Sequence, residues 1–258
     1  MKKTALITGA SSGIGEELAR IHAEKGGELV LVARRNEALR KLADELQNTY
    51  GTRSHLISAD LMTEEGVKKV TDFLHENGIQ IDYLFNNAGL GGYGNFHERS
   101  LQKELEMIRL NIQSLVELTH HILPGMIARG YGKILMTSST AGHIPGPLQA
   151  NYYATKAYVN SFSNALDQEV RRYGVTVTAL CPGPVKTGFE DAAGMTGSGL
   201  FRNAATARST AMKGYRAMER GRLAVITDPR LHFALKFLLP FTPMRTILKN
   251  VEKLQKIR

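Results

Sequence analysis

A glycine-rich turn between a strand and a helix is the feature that most limits what this chain can fold into. The apolar pair Leu6-Ile7 runs directly into Thr8-Gly9-Ala10-Ser11-Ser12-Gly13-Ile14-Gly15, after which Leu18, Ala19, Ile21, His22 and Ala23 fall at helical spacing. Strand, tight turn and helix start in that order bring backbone amides together at the positive end of a helix, where a pyrophosphate is held. The spacing Gly-x-x-x-Gly-x-Gly differs from the Gly-x-Gly-x-x-Gly form of many dinucleotide sites, so it is the position of the turn that carries the argument.

The remaining chain alternates in the same way. Leu29-Val30-Leu31-Val32-Ala33 is a continuous apolar run, as expected of a parallel strand covered on both faces. A charged helix over 36–50, a strand over 54–58, a helix over 63–77 and a strand over 81–85 follow. After these come a long helical pattern over 101–129, a strand over 133–137, a helix opening at Tyr152 and running to about 173, a strand ending at Cys181, a helix over 210–219 and a strand over 223–226. This order predicts an α/β fold, a doubly wound parallel sheet with helices on both faces, and 258 residues suffice for one such domain.

In such a sheet the chemistry collects at the carboxyl ends of the strands. The second strand ends in Ala33-Arg34-Arg35, where a dinucleotide fold usually carries an acid for the ribose hydroxyls. With that acid missing and two guanidinium forks present, the pattern favours NADP(H) over NAD(H). Asp60, just past the third strand, can accept from an adenine amine or cap the next helix. Asn86-Asn87-Ala88-Gly89 and Gly91-Gly92-Tyr93-Gly94 are small enough to let a flat ligand approach the backbone. Ser138 and Ser139 close the 133–137 strand, and either hydroxyl could act or simply cap a turn. Asn111, among Ile108, Leu110, Ile112, Leu115 and Val116, reads as a satisfied structural amide.

Tyr152 and Lys156 stand four residues apart and share a helix face, which sets an ammonium beside a phenol and favours the phenolate. The segment 186–203, rich in Gly, Thr and Ser, reads as a mobile lid over a ligand. Cys181, the single cysteine, reads as a buried strand residue and cannot form an internal disulfide. No apolar run reaches the ~18–20 residues of a membrane span, and no secretory signal is evident at the start, so a cytoplasmic location is expected.

Together these pieces resemble the short-chain dehydrogenase/reductase family. The resemblance rests on Thr8 to Gly15, Asn86-Asn87-Ala88-Gly89, Asn111, Ser139, Tyr152 with Lys156, and Pro182-Gly183, in family order, and covers about residues 3–227. It implies a seven-stranded Rossmann sheet and hydride transfer between a nicotinamide and a carbonyl or secondary alcohol. It selects Ser139 over Ser138 and Tyr152 over Tyr153, and implies catalytic roles for Asn111, Ser139, Tyr152 and Lys156. Tyr152 would pass the proton and Ser139 would hydrogen-bond the same oxygen. Lys156 would keep the phenol's pKa down and bind ribose hydroxyls, and Asn111 would hold a water leading from Lys156 to solvent. The implied cofactor set is Gly9, Ser11, Ser12, Gly13, Ile14, Gly15, Arg34, Arg35, Asp60, Leu61, Asn87, Ala88, Gly89, Tyr152, Lys156, Pro182, Gly183, Val185 and Thr187. Thr187 resembles the family residue that contacts the carboxamide, and the lid would span 187–220. No metal is expected. The family commonly assembles as dimers or tetramers through the helices that would here span 101–129 and 152–173.

Charge is concentrated at the end of the chain. Beyond residue 229, seven Lys and Arg (Arg230, Lys236, Arg245, Lys249, Lys253, Lys256 and Arg258) face Glu252 alone, a net +6 of the chain's +9. Thr242-Pro243 reads as a helix cap, after which Met244, Ile247, Leu248, Val251 and Leu254 recur at helical spacing. The extension 229–258 is therefore an amphipathic helical tail, packed on its own or a neighbouring subunit, or attached to an anionic membrane surface. No nucleic-acid reading motif accompanies the charge. Two alternative functions follow, an NADP(H)-binding sensor or scaffold with little turnover and a membrane-surface reductase of lipid-like or steroid-like carbonyls.

Overall fold

In the computed structural model, which describes residues 2–201 and 203–256, seven parallel strands form one sheet in the order β3-β2-β1-β4-β5-β6-β9. Arg258, counted in the tail's charge, lies outside the described residues. The strands are β1 (Thr4–Thr8), β2 (Glu28–Ala33), β3 (Ser54–Ser58), β4 (Tyr83–Asn86), β5 (Gly132–Thr137), β6 (Val175–Cys181) and β9 (Ala224–Ile226), and a separate ladder pairs β7 (Val185–Lys186) with β8 (Ala205–Thr206). The helices are α1 (Gly13–Glu24), α2 (Asn36–Tyr50), α3 (Glu64–Glu76), α4 (Leu101–Ile108), α5 (Ser114–Ala128), α6 (Ala150–Val170), α7 (Phe189–Ala192), α8 (Ala207–Glu219), α9 (Pro229–Phe233) and α10 (Met244–Gln255).

Continuous apolar strands make two cores, because successive side chains point to opposite faces. Ala5 and Ile7 of β1, with Leu29, Leu31, Tyr83 and Phe85, pack on Leu18 and Ile21 of α1, Leu39 and Leu46 of α2, and Ala211, Tyr215 and Met218 of α8. Leu6, with Val30, Val32, Leu84, Ile134 and Val177, packs on Val70 of α3, Leu118 and Ile122 of α5, and Val159 and Leu166 of α6. His22 is buried in the first layer, bonded through its two ring nitrogens to the Tyr215 hydroxyl and the Lys3 carbonyl, and desolvation lowers its pKa. The strand order reverses at β1, between β2 and β4, which opens a crevice at their carboxyl ends.

The expected helix over 101–129 is not continuous. α4 and α5 are separated by a π-helical turn, Arg109–Gln113, with Asn111 buried inside it. A helical repeat of apolar residues cannot reveal one extra residue in a turn, so the pattern read straight through. Helix α6 begins at Ala150, before Tyr152, and closes through a 3₁₀ turn, Arg171–Tyr173, to Gly174 at φ 75°. The 187–220 segment divides. Thr187, Phe189 and Ala193 lie beside Gly13 and Gly91 at the crevice, and Ala193, Met195 and Ser198 are buried, whereas α8 belongs to the core against α1.

The tail is helical, as its pattern predicts. Thr242 does not cap α10; its hydroxyl donates to the Leu238 carbonyl at 2.9 Å and the helix starts after Pro243. Helix α10 folds back on its own chain, with Ile247 and Gln255 buried and the turn Gly199–Phe201 against it.

Candidate active site

The glycine-rich turn is pinned to the end of β4. The Thr8 hydroxyl accepts from the backbone amides of Asn87 (2.9 Å) and Ala88 (3.0 Å), and the Asn87 side-chain Nδ2 donates to the Thr8 carbonyl at 3.1 Å. Thr137 at the end of β5 donates to Asn87 Oδ1 at 3.3 Å, so one side chain ties three strand ends together. A Cβ on Gly15 would lie 2.3 Å from the Gly9 carbonyl oxygen, and Gly13, at φ 60°, would place one 2.9 Å from Thr187 Cγ2. The turn therefore lies under Thr187, with Val185 buried behind it. Ser12 makes no side-chain cap to α1, so that helix end directs its first amides into the crevice.

Arg35 reaches back from the end of β2 to donate to the Ser11 carbonyl (2.9 Å) and hydroxyl (3.3 Å), and Arg34 is exposed beside it. Two cations thus edge the turn, one of them held in place. Asp60 accepts from the Met62 amide at 3.0 Å, and Thr63, not Asp60, caps α3 by accepting from Gly66 N at 3.0 Å. The capping alternative for Asp60 is thereby removed. Leu61 is buried next to it.

Four polar side chains meet beyond Gly89. A Cβ at Gly89 would lie 3.2 Å from Asn111 Oδ1 and 3.4 Å from Lys156 Nζ. From within the π turn, Asn111 accepts from Leu90 N (2.8 Å) and donates to Leu90 O (2.9 Å) and to Thr155 (3.0 Å). Lys156 Nζ donates to Thr137 O at 2.8 Å and stands 5.9 Å from the centre of the Tyr152 ring. The two serines separate by role. Ser138 donates to the Lys156 carbonyl at 2.9 Å, while Ser139 accepts from Ala141 N at 3.1 Å, donates to the Pro182 carbonyl at 3.4 Å and lowers the pKa of the Tyr152 phenol. Pro182, whose carbonyl accepts from Thr140 N at 2.8 Å, holds the end of β6 against that turn, and Gly183 after it stands next to Leu231 and Asp228.

The electrostatics differ from the expectation of a depressed phenol. Burial pushes the Tyr152 phenol up to about 12, and Ser139 alone opposes it. Lys156 is pushed down to about 8 by desolvation, so its ammonium is still largely present at neutral pH and is lost as pH rises past that value, and it donates to the Thr137 carbonyl. The Cys181 thiol, buried at the end of β6, is pushed up to about 12 and stays protonated, in keeping with a packing role.

Other residues complete the site that the motifs do not name. Phe189 of α7 lies on the Tyr152 ring, centroids 5.4 Å apart, and a Cβ on Gly91 would reach its Cζ at 2.4 Å. A cavity beside Tyr152 is lined by Gly92, Phe96, Arg99, Glu104, Leu148 and Asn151. Arg99 pairs with the buried Glu104 and donates to Tyr93 O at 2.7 Å, fixing the loop after β4. Leu148, in the left-handed region at φ 65°, accepts from Gly94 N at 2.9 Å and joins the loops that flank the cavity. Gln255 of α10 donates to the Tyr153 hydroxyl at 2.9 Å and accepts from Gln149 at 2.8 Å, so the chain's end is tied to the residue next to Tyr152. No spacing rule links Gln149 with Gln255, so only the fold brings them together.

This geometry, a glycine turn at a sheet switch point facing a Tyr, Lys, Ser and Asn cluster, is shared with a family of oxidoreductases. A family model described as short chain dehydrogenase matches residues 3–196, and the chain belongs to that family. It is 39% identical over 186 residues to the oxidoreductase UcpA of Salmonella typhimurium, covering 72% of this chain and 70% of that one. Among solved structures it resembles a short-chain dehydrogenase from Sphingobium yanoikuyae in complex with NADPH, with 29% identity, a TM-score of 0.83 and coverage of 93% and 96%. A short chain dehydrogenase/reductase from Burkholderia phymatum in complex with NAD is similar at 25% identity and TM-score 0.83, over 93% of each chain.

Proposed function

We propose that the protein is an NADP(H)-dependent reductase of carbonyl compounds, or the reverse secondary-alcohol dehydrogenase, with Tyr152 as the acid and base. The observation that carries this is the convergence of Tyr152, Lys156, Ser139 and Asn111 beyond Gly89, at the end of a crevice that begins in a glycine turn. The dinucleotide fits the chain's own shape, since Gly9, Gly13 and Gly15 leave the turn free of side chains and the opening amides of α1 suit a pyrophosphate. Ser11, Ser12, Ile14, Asp60, Leu61, Asn87, Ala88, Gly89, Pro182, Gly183, Val185 and Thr187 line the same path. When bound, NADPH supplies the hydride.

Tyr152 donates a proton to the substrate oxygen as negative charge develops there, and Ser139 donates a hydrogen bond to that oxygen. The ammonium of Lys156 steadies the phenolate that results, and Asn111 holds the end of a proton path from Lys156. Below about 8 Lys156 carries its charge, and above it the charge is lost. Carbonyl reduction is therefore expected to be steady at lower pH and to fall as pH rises through about 8. A kcat profile flat through that range would remove the ammonium from the mechanism.

For the cofactor, Arg34 and Arg35 face a ribose phosphate. Arg34→Ala is expected to weaken NADPH binding by about tenfold or more, the scale of one charge-assisted contact, with little effect on NADH. Equal losses for both cofactors, measured by titration calorimetry, would refute the phosphate assignment. Following NADPH consumption over ketones and aldehydes tests the activity, and tight cofactor binding with no turnover on any of them would favour a sensor. A cytoplasmic homodimer or homotetramer is the form we propose, supported by the exposed Leu101, Leu105 and Ile108 of α4 and Tyr158 of α6 on the helices that such assemblies use.

A further inference from the structure

Residues 229–241 are helical throughout, through α9, a π turn (Ala234–Leu238) and a 3₁₀ turn (Leu239–Phe241), yet none of them is buried. The sequence Leu231-His232-Phe233-Ala234-Leu235-Lys236-Phe237-Leu238-Leu239-Pro240-Phe241 has the composition of a core segment. Phe233, Phe237 and Leu238 are 53–56% exposed, Met244 is 53% exposed, and Phe241 is 86% exposed. Phe233 and Phe237 touch, with centroids 5.3 Å apart, and Leu238, Phe241 and Met244 follow them within seven residues, so the exposed apolar side chains are concentrated in one short segment.

Cations surround the patch. Arg230, Lys236, Arg245 and Lys249 are exposed, and among the described residues no carboxylate pairs with any of them. No acid occurs between residues 229 and 251. The scaffold beneath is fixed, because Asp228 caps α9 by accepting from Arg230 N (2.8 Å) and Leu231 N (3.2 Å), and α10 is anchored by Ile247 and Gln255.

We propose that this surface seats the protein on an anionic lipid bilayer. Apolar side chains enter the boundary between headgroups and acyl chains while the surrounding cations meet lipid phosphates and carboxylates. A second copy fits less well. A two-fold interface would bring the same patch together with itself, setting Arg230, Lys236, Arg245 and Lys249 against their own copies with no acid between them. The bilayer offers the charge that the patch lacks. Leu231 of this segment stands next to Gly183, but the inference does not depend on the redox reading, because it rests on the exposed Phe233, Phe237, Leu238, Phe241 and Met244 and is read by vesicle binding rather than turnover.

The test is co-sedimentation of the full-length protein with vesicles of phosphatidylcholine alone and with vesicles of equal parts phosphatidylcholine and phosphatidylglycerol. The protein is expected to pellet with the anionic vesicles and to stay in solution with the neutral ones. Phe241→Glu, at an exposed position, is expected to lower binding at least about tenfold, the scale set by withdrawing one phenyl ring from an apolar phase. Arg245→Glu with Lys249→Glu is expected to lower it about tenfold or more, and added salt to weaken what remains. Unchanged circular dichroism and cofactor binding in each variant would show that the fold is intact. No binding to anionic vesicles, or equal binding by all variants, would overturn the proposal. So would a wild-type dimer, dissociated by Phe241→Glu in light scattering, that ignores both vesicle types.

Discussion

Tyr152→Phe is expected to lower kcat for carbonyl reduction by about 10²–10⁴-fold, the contribution of a positioned general acid, while leaving NADPH affinity nearly unchanged. The variant deletes one oxygen from a ring whose position does not depend on it. The ring is fixed by α6 below and by Phe189 at 5.4 Å above, so the crevice keeps its shape. Of the four clustered side chains, only Tyr152 offers a proton bound tightly enough to be held until charge appears and close enough to be delivered. Its phenol, pushed up to about 12, stays protonated across the working range. Ser139 cannot replace it, because a hydroxyl of that kind is a far weaker acid. Steady-state kinetics paired with a cofactor titration checks this, and a large drop in affinity together with kcat would point to collapse of the site instead.

Gly15→Ala should produce the second large effect, and through backbone rather than chemistry. The added methyl would fall 2.3 Å from the Gly9 carbonyl oxygen and 2.6 Å from Asn87 Nδ2, and the first of these is main chain that cannot swing aside. Either the turn opens or α1 shifts on the sheet, and both alter the amides that face the crevice. A cost of about 2–3 kcal/mol is expected, which for a chain of this size lowers Tm by roughly 5–10 °C. Cofactor affinity should fall by about tenfold if half of that strain, about 1–1.5 kcal/mol, must be restored when the cofactor binds the displaced turn. Gly26→Ala is the control for glycine loss alone, since nothing lies within 4 Å of its added Cβ, although its φ of 78° brings some strain. Scanning calorimetry with and without NADPH separates the two.

Much of this architecture is legible in the residues because each signal is local. A continuous apolar run such as Leu29 to Ala33 must be covered on both faces, and the structure buries it against helices from two layers. Tyr152 and Lys156 share a face because helical spacing requires it. Signals that depend on a neighbour's exact position fare worse. Asn111 reads as a helix residue on an apolar stripe, whereas in the fold it sits in a π turn, invisible to periodicity, and binds Leu90. The expected depression of the Tyr152 pKa assumed an ammonium aimed at the phenol. Burial of the phenol instead raises its pKa, and the Lys156 ammonium donates to the Thr137 carbonyl. Thr242 looks like a cap from its identity, yet its hydroxyl is already committed to Leu238. The bond from Gln255 to Tyr153 joins residues 102 apart, and no pattern within either segment announces it.

The central claim is that the crevice transfers a hydride to a carbonyl carbon while Tyr152 protonates its oxygen. It is tested most directly by supplying NADPH that carries deuterium at the transferable nicotinamide position together with a panel of ketones and aldehydes, and weighing the alcohol formed by mass spectrometry. The account predicts an alcohol bearing a single deuterium on the carbon that gained the hydroxyl, and almost none from Tyr152→Phe. Cofactor that binds tightly but yields no labelled alcohol from any carbonyl, or equal labelling by Tyr152→Phe, would contradict it.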